Sequence, residues 1–543
     1  MLTRTQIYTL LILLSTGLML GRIIAVNRTD TLLLQKSRFD TVNKTYNDRV
    51  EQLEQQFRES NVSEEEFGKQ RTELEERRQQ ALENEKRELP FFSANDRSRW
   101  TTIRALVEPD MRVKRTVELP DGTQRTETVW YAIDKVQNIR GWDTIDMVKH
   151  DLPDQPGVGY RCPDKCKICE KKPAEEAPNC GYLYSSKPPL LPTLMAIPYA
   201  IMYRASEGKL SLANEPFLIV RVTLVVCNLL PLILCWFLLS RLIERFGITD
   251  WGRVFCVAFL CFGTFLSTFA VTLNNHLPAM VGVTIALYCA VLIVYDQKTR
   301  WRYFVLAGLF SAFAAACELP ALLFCVLIGF WLLRHRFQRT LYLFVPAVLV
   351  VAAAFFATNY IAHKTVVPAY GKKYVENSWY LYDYEREGKI LPSHWKNPKD
   401  LDVGEPCHKT YIFHTTVGHH GLFSLTPVWA LSFLGLFIWL FDRRYRTLSA
   451  MILLTSVVVF AFYLQQPLNE RNYGGNTSAL RWLFWLVPLW SVSLVAAADQ
   501  FSRSMFTRGI ALACLIVSAM SAAYPTWNPW TMPWTYNLLQ YVR

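Results

Sequence analysis

The hydrophobic pattern gives one isolated apolar block, a long polar stretch, and then a dense series of further blocks. They run Ile7 to Val26, Pro216 to Leu239, Val254 to Leu273, Pro278 to Tyr295, Tyr303 to Cys317, Leu319 to Leu333, Leu341 to Tyr360, Leu422 to Phe441, Leu448 to Tyr463, Trp482 to Ala498 and Ile510 to Ala523. Most approach the roughly 20 residues needed to cross a bilayer's hydrocarbon core, so the pattern predicts an all-α polytopic membrane protein with about eleven transmembrane helices. The first block has a weakly basic head and no A-x-A site before the polar region, which reads as an uncleaved anchor over residues 1–26. Between Pro188 and Tyr203 the apolar run is short and broken by Pro192 and Pro198. It is read as a re-entrant or juxtamembrane segment within 188–214. The helical core then occupies 215–525, interrupted by a large loop at 361–420 and followed by an interfacial tail at 526–543.

The polar region 27–187 has its own pattern. From 39 to 88 the chain is nearly free of Gly and Pro, and Phe39, Val42, Tyr46, Val50, Leu53 and Phe57 recur at intervals of three and four. That spacing predicts a helical hairpin or short coiled coil, with Ser60 to Glu66 as its turn, serving as a solvated spacer or as a partner-binding arm. A juxtamembrane helix is expected over 95–107. Val and Thr alternation across 109–133, centred on Pro120-Asp121-Gly122, predicts a small β-hairpin insertion.

Composition and charge sharpen the class. With 51% hydrophobic and 19% charged residues among 543, the chain is too apolar for an ordinary soluble protein. A net charge of +12 could point to nucleic acid, but Lys and Arg concentrate in short loops: Arg241 to Arg253, Lys298 to Arg302, Arg334 to Arg339, Arg443 to Arg446 and Arg503 to Arg508. These fall on one side of the predicted helices, which the positive-inside rule makes cytoplasmic. The flank of the first helix favours the opposite parity, since Arg22, Arg28, Lys36 and Arg38 outnumber Arg4. Five consistent loops outweigh one flank. The charge therefore reads as topology in a plasma (inner) membrane, with no nucleic-acid partner, and places 27–187 and 361–420 on the exoplasmic or periplasmic face. No GxxxxGK[ST] or GxGxxG stretch supports nucleotide hydrolysis.

Four of the 13 cysteines, Cys162, Cys166, Cys169 and Cys180, cluster just ahead of Tyr184-Ser185-Ser186-Lys187. Their spacing suits structural zinc, and an oxidising exterior suits two disulfides; either pins a loop beside Lys187. Cys227, Cys235, Cys256, Cys261, Cys289, Cys317, Cys325 and Cys514 lie in apolar blocks as small core residues.

The chemistry gathers at the predicted outer helix ends, where charge is costly and is read as functional. Asp96 opens a helical stretch as an N-terminal cap or as a working carboxylate. Lys187 precedes two prolines that hold the chain extended, which presents its ammonium at the interface or lets it snorkel there. Arg481 follows the polar loop Asn472-Tyr473-Gly474-Gly475-Asn476 as a helix anchor or a phosphate clamp.

Taken in order, an N-D-x-x-R-W stretch in the first outer loop, S-K-P-P-L-L, helix ends L-N-N-H-L-P and C-E-L-P, and a late R-W-x-x-x-x-x-P resemble the GT-C superfamily of membrane glycosyltransferases. The similarity is to the branch holding the lipid A aminoarabinose transferases and the protein O-mannosyltransferases. There, an acidic residue followed by Arg and an aromatic matches Asp96, Arg99 and Trp100, a K-P matches Lys187 and Pro188, and an R-Y-x-x-P-like motif matches Arg481, Trp482 and, at longer spacing, Pro488. The resemblance implies sugar transfer from a polyprenyl-phosphate-linked donor to a lipid, glycan or protein acceptor on the outer face. It implies Asp96 as general base and Lys187 and Arg481 as ligands of the donor phosphate. Arg99, Asn275, His276, Glu318, His419 and His420 are the further candidates for substrate contact.

The chain departs from that pattern too. Arg97 stands where relatives often have a second acidic residue, Asn275-His276 where the aminoarabinose enzymes have Asp-Pro, and Glu318 where they have a basic residue. Metal dependence is thus left open; no cofactor is assigned, a divalent metal at the site or structural zinc remaining compatible. The rival classes are a multi-pass transporter or lipid flippase, whose charges line a path, and a non-catalytic envelope scaffold.

Overall fold

The computed structural model describes residues 3–25, 30–59, 63–85, 89–118, 121–151, 181–386, 389–525 and 528–542. Cys162, Cys166, Cys169 and Cys180, and with them the choice between disulfides and zinc, lie outside the described residues. The chain is predominantly helical, with three two-stranded antiparallel sheets among the described residues.

Eight helices among the described residues are long and apolar enough to cross a membrane: Arg4–Ile24, Pro216–Phe246, Asp250–Val271, His276–Val294, Leu319–His363, Arg446–Leu464, Arg481–Phe501 and Met505–Ala523. Trp301–Cys317 and Val428–Phe441 are shorter apolar helices. The stretch Leu319–His363 is broken at Arg336, which leaves helical geometry (φ −148°, ψ 65°). Gly329 before the break packs on Phe344 after it, so the chain folds back on itself there.

Two helices form the centre. Protein encloses 83% of the apolar window of His276–Val294 and 94% of that of Arg481–Phe501, against 17% for Leu319–His363 and 22% for Met505–Ala523. A helix apolar on all sides must be surrounded, and these two are. Each opens with a polar residue, His276 or Arg481, so the innermost pair of helices carries those side chains to the same end of the bundle.

Outside the bundle, Asp30–Glu59 and Glu64–Glu85 form a helical hairpin closed by a tilted ring contact of Phe57 and Phe67 (4.6 Å) and by Arg78 Nε donating to Asn43 Oδ1 (2.9 Å). Strands Val113–Glu118 and Gln124–Val129 pair antiparallel, Val113 facing Val129, around a turn where the Asp121 carboxylate accepts from the Thr123 amide. Helix Leu190–Ala205 has 16 residues and contains Pro198. A second ladder decides where the site lies. Strands Met147–His150 and Tyr182–Ser185 pair with Met147 facing Ser185, and the Ser186 amide then donates to the Asp146 carbonyl (3.1 Å). Pairing of two distant strands therefore brings Asp146, just before one, beside Lys187, two residues past the other.

Candidate active site at the helix ends

Helix Ala94–Val107 lies across the His276 and Arg481 ends. Ser93 caps it, its hydroxyl accepting from the Asp96 amide (3.2 Å). One turn separates Asn95 from Arg99, so the guanidinium folds back to bond the Asn95 side-chain and main-chain oxygens (2.6 and 2.8 Å) and reaches across to Asn275 Oδ1 (2.5 Å). Ser98 ties the helix to the ladder, its hydroxyl bonding the Asp146 carbonyl and the Ser185 hydroxyl, each at 2.6 Å.

From Asn275 the network continues. Its amide donates to Glu318 Oε1 (2.6 Å), and the same carboxylate lies against His276 Nδ1 without an aligned hydrogen bond. Arg481 Nη1 meets His276 Nε2 at 3.0 Å; a guanidinium can only donate, so Nε2 is the acceptor and Nδ1 carries the imidazole proton. Arg481 Nε and Nη2 both donate to the Gly474 carbonyl (3.1 and 2.9 Å). Tyr473, Gly474 and Gly475 all have positive φ (57°, 91° and 79°), and this left-handed run turns the carbonyl onto Arg481. These bonds use three of the five guanidinium N–H groups, leaving one each on Nη1 and Nη2 without a partner among the described residues. Such a pair suits two oxygens of one anion.

Lys187 completes a trio of cations. Its Nζ lies 3.1 Å from Asp146 Oδ1, with side-chain exposures of 22% and 14%. Burial lowers the Lys187 amine, and Arg99 and Arg481 push it further down against the pull of Asp146. Burial alone would raise the Asp146 carboxyl, but Lys187 first, then Arg481 and Arg99, hold it below the ordinary carboxylate range. Burial takes Arg99 down to about 10, with Asp146 opposing and Arg481 reinforcing the fall. The three cations thus share one electrostatic field with Asp146 and Glu318, to which Asp96 adds at Arg99 and Asp402 at Arg481.

Asp96 sits differently. It is 1% exposed, and its Oδ1 accepts from the Leu273 amide (3.1 Å). Burial raises its carboxyl to about 7, against the stabilising amides of Leu273 and Phe92 and the charges of Arg99 and Arg97. The Leu273 amide is available because the Asp250–Val271 helix ends in an unwound stretch. There Asn228 donates to the Ala270 and Thr272 carbonyls, both at 2.9 Å, and so satisfies backbone that a bilayer would leave bare.

Arg99, Asn275, His276, Glu318 and Arg481 are therefore brought into one contiguous network, hydrogen-bonded except at the Glu318–His276 contact, with Lys187 beside it through Asp146. His419 and His420 are not joined to it directly. His420 Nε2 bonds the Thr477 carbonyl (3.0 Å) and its ring stacks on Tyr473, behind the loop that holds Arg481. His420 also edges an apolar groove lined by Phe265, Leu422, Trp429, Leu483, Phe484 and Trp490, and Phe484 meets the His276 ring at 6.2 Å. Arg97 donates to the Asp143 carbonyl. Among the described residues, no group of three or more His, Cys, Asp or Glu side chains is disposed to hold a metal ion.

No protein-family profile and no curated protein matches the chain. Among solved structures, the apo crystal structure of the Archaeoglobus fulgidus oligosaccharyltransferase aligns with 64% of this chain and 48% of its own, at 12% identity and a TM-score of 0.31. The chain spans about half the length of that enzyme.

Sequence reasoning missed Asp146 and Asn228. Asn228 stood in plain view as a polar residue inside an apolar block, itself a warning sign. Asp146 carries no motif. Its only signal is that the short run Met147–His150 can pair with Tyr182–Ser185 across the cysteine-rich segment, which leads to Lys187.

Proposed function

We propose that this protein is an integral membrane glycosyltransferase of GT-C type that moves a sugar from a polyprenyl-phosphate donor to an acceptor hydroxyl on the exoplasmic face. The single observation that carries this reading is the convergence of three cations, Arg99, Lys187 and Arg481, on one end of the bundle, with two Arg481 N–H groups left without a partner among the described residues. Like charges gathered away from water are costly unless an anion joins them. A lipid-phosphate sugar is a phosphodiester with one negative charge, which such a cluster suits. The apolar groove beside Phe484 suits an isoprenoid tail. A transporter would distribute its charges along a path, whereas these gather at one end of the bundle.

In the reaction so read, the acceptor oxygen attacks the anomeric carbon and the bond from that carbon to the phosphate oxygen breaks. The lipid phosphate leaves with the electron pair, and the cations stabilise the charge it gains. Asp96, poised near neutrality by burial, takes the acceptor proton. A second reading gives that proton to Asp146, because Asp146 and not Asp96 touches a phosphate-binding cation. In the same reading the chain crosses the membrane about eleven times, counting the two arms of Leu319–His363 and the two shorter apolar helices, with 27–187 outside.

The test is reconstituted full-length protein offered a panel of polyprenyl-phosphate sugars with hydroxyl acceptors. Release of polyprenyl phosphate together with a glycosylated acceptor is expected. Tight binding of the donors with no transfer to any acceptor would favour a carrier and overturn the enzymatic reading.

A further inference from the structure

The C-terminal segment reaches the candidate site. The Ser478 amide donates to the Pro529 carbonyl (3.0 Å), and the Asn528 side-chain oxygen accepts from the Trp530 amide (2.9 Å). The Trp530 indole lies over the Arg481 guanidinium, 4.8 Å from Cζ to the ring centroid, with Phe269 edge-on behind it at 5.6 Å. Two further bonds pin the segment, Trp534 Nε1 to Ser521 Oγ (2.9 Å) and Thr535 Oγ1 to the His419 carbonyl (2.5 Å).

Two donors beside that guanidinium have no partner. Trp530 is 6% exposed and its Nε1 is unbonded; Ser478 is 1% exposed and its hydroxyl is unbonded. Buried donors are rarely left unpaired, because each loses its bonds to water and gains nothing in return. These two sit on the two chain segments joined by the Ser478–Pro529 hydrogen bond, and both segments adjoin Arg481, which has N–H groups to spare. Stacking on the indole engages the face of the guanidinium and leaves its edge open. An oxyanion on that edge is the ligand chemistry that would satisfy all of these groups together.

We propose that the C-terminal segment is part of the lipid-phosphate site: Trp530 fixes Arg481 by stacking, and its indole N–H, with the Ser478 hydroxyl, donates to the phosphate that Arg481 holds. The proposal rests on the reading of Arg481 as a phosphate ligand. Tryptophan serves both purposes, whereas phenylalanine would keep the ring and lose the donor.

Equilibrium binding of undecaprenyl phosphate to full-length protein in nanodiscs, with undecaprenol as the uncharged control, tests it. Trp530→Phe and Ser478→Ala are each expected to weaken undecaprenyl phosphate binding about tenfold, the scale of one hydrogen bond to a charged group, with undecaprenol binding and melting temperature unchanged. Arg481→Ala should weaken it further. Wild-type affinity in both Trp530→Phe and Ser478→Ala, alongside loss in Arg481→Ala, overturns the role of the C-terminal segment and leaves the phosphate site standing. Wild-type affinity in Arg481→Ala removes the phosphate site and this proposal with it. Should Trp530→Phe fail to fold, Ser478→Ala decides alone, and wild-type binding there overturns the proposal.

Discussion

The helix Arg481–Phe501 carries a charge near each end, and the two are held in opposite ways. Asp499 accepts from the Ile248 amide (2.8 Å), the Thr249 amide (2.8 Å) and the Thr249 hydroxyl (2.7 Å), closing the turn into the next helix. Those three bonds draw on a fixed turn that no ligand needs to complete. Around it the other charges pair at the surface, Arg4 with Glu244 and Asp250, and Arg245 with Asp296. At the opposite end, Arg481 shares its field with two further cations and keeps unpartnered N–H groups. A charge buried to hold a turn is saturated by that turn. Under the proposed function, a charge with donors to spare takes the lipid phosphate, and the two ends of the helix then differ in role.

The largest test of that contrast is Asp96→Asn against Asp499→Asn. An amide keeps the shape of Asp96 but cannot take the acceptor proton, so transfer should fall by roughly 10² to 10⁴ while donor binding persists. Asp499→Asn should lower the melting temperature and leave the rate per folded molecule unchanged. If Asp96→Asn transfers sugar at the wild-type rate, Asp96 is a buried helix-end residue like Asp499, and Asp146→Asn becomes the variant expected to lose turnover.

Next in size come Lys187→Ala and Arg481→Ala, which remove charge from a phosphate present in both donor and transition state. Both binding and turnover should weaken, each by roughly ten- to a hundredfold. Titration calorimetry with a lipid-phosphate sugar and steady-state kinetics separate the two. Loss of turnover at full affinity would place the donor phosphate elsewhere.

The contrast also marks what the sequence could disclose. Apolar length alone pointed to helices long and apolar enough to cross a membrane, and the basic cluster Arg334 to Arg339 marked the place where Leu319–His363 turns back. Polar residues at apolar block ends pointed to Asn275, His276, Glu318 and Arg481, since such residues are conspicuous against hydrophobic neighbours. Asp146 and Trp530 were hidden for a physical reason. Neither has a local signature, and each reaches the site only through long-range pairing: Met147–His150 with Tyr182–Ser185 in one case, and Pro529 with Ser478 in the other. The Asp499 end was equally silent, because one carboxylate bonded to a neighbouring turn has no pattern along the chain.

A pH series sharpens the comparison within the site. Asp96 faces Arg97 and Arg99, yet its folded carboxyl is raised to about 7 from an unfolded value of about 4. Its neutral form therefore stabilises the fold fully below about pH 4, and that contribution is lost as pH rises through about 7. Asp146, facing Lys187, Arg481 and Arg99, is lowered; its contribution is present above the ordinary carboxyl range and lost as pH falls through its folded value. The melting temperature of Asp96→Asn should thus decline less than wild type between about pH 4 and 7, and Asp146→Asn should lose less stability in acid. If Asp96 is the base, wild-type transfer should rise through about pH 7. A rate already level by pH 5.5 would move that role to Asp146.

The smallest expected effect lies far from the Arg481 end, at Arg245 and Asp296, whose side chains are 18% and 31% exposed. Water screens such a pair, and two flexible side chains lose freedom in forming it, so exposed ion pairs contribute roughly 0 to 1 kcal/mol. Arg245 also lies over the Phe246 and Tyr295 rings at 5.5 and 5.3 Å, contacts that survive loss of the carboxylate. Asp296→Asn should therefore shift the melting temperature by a degree or two at most, more at low salt than at high, and leave polyprenyl phosphate binding and transfer at wild-type values. A loss of donor affinity in Asp296→Asn comparable to that of Lys187→Ala would mean that the two ends of the bundle are coupled, and the division between a saturated end and an open one would fail.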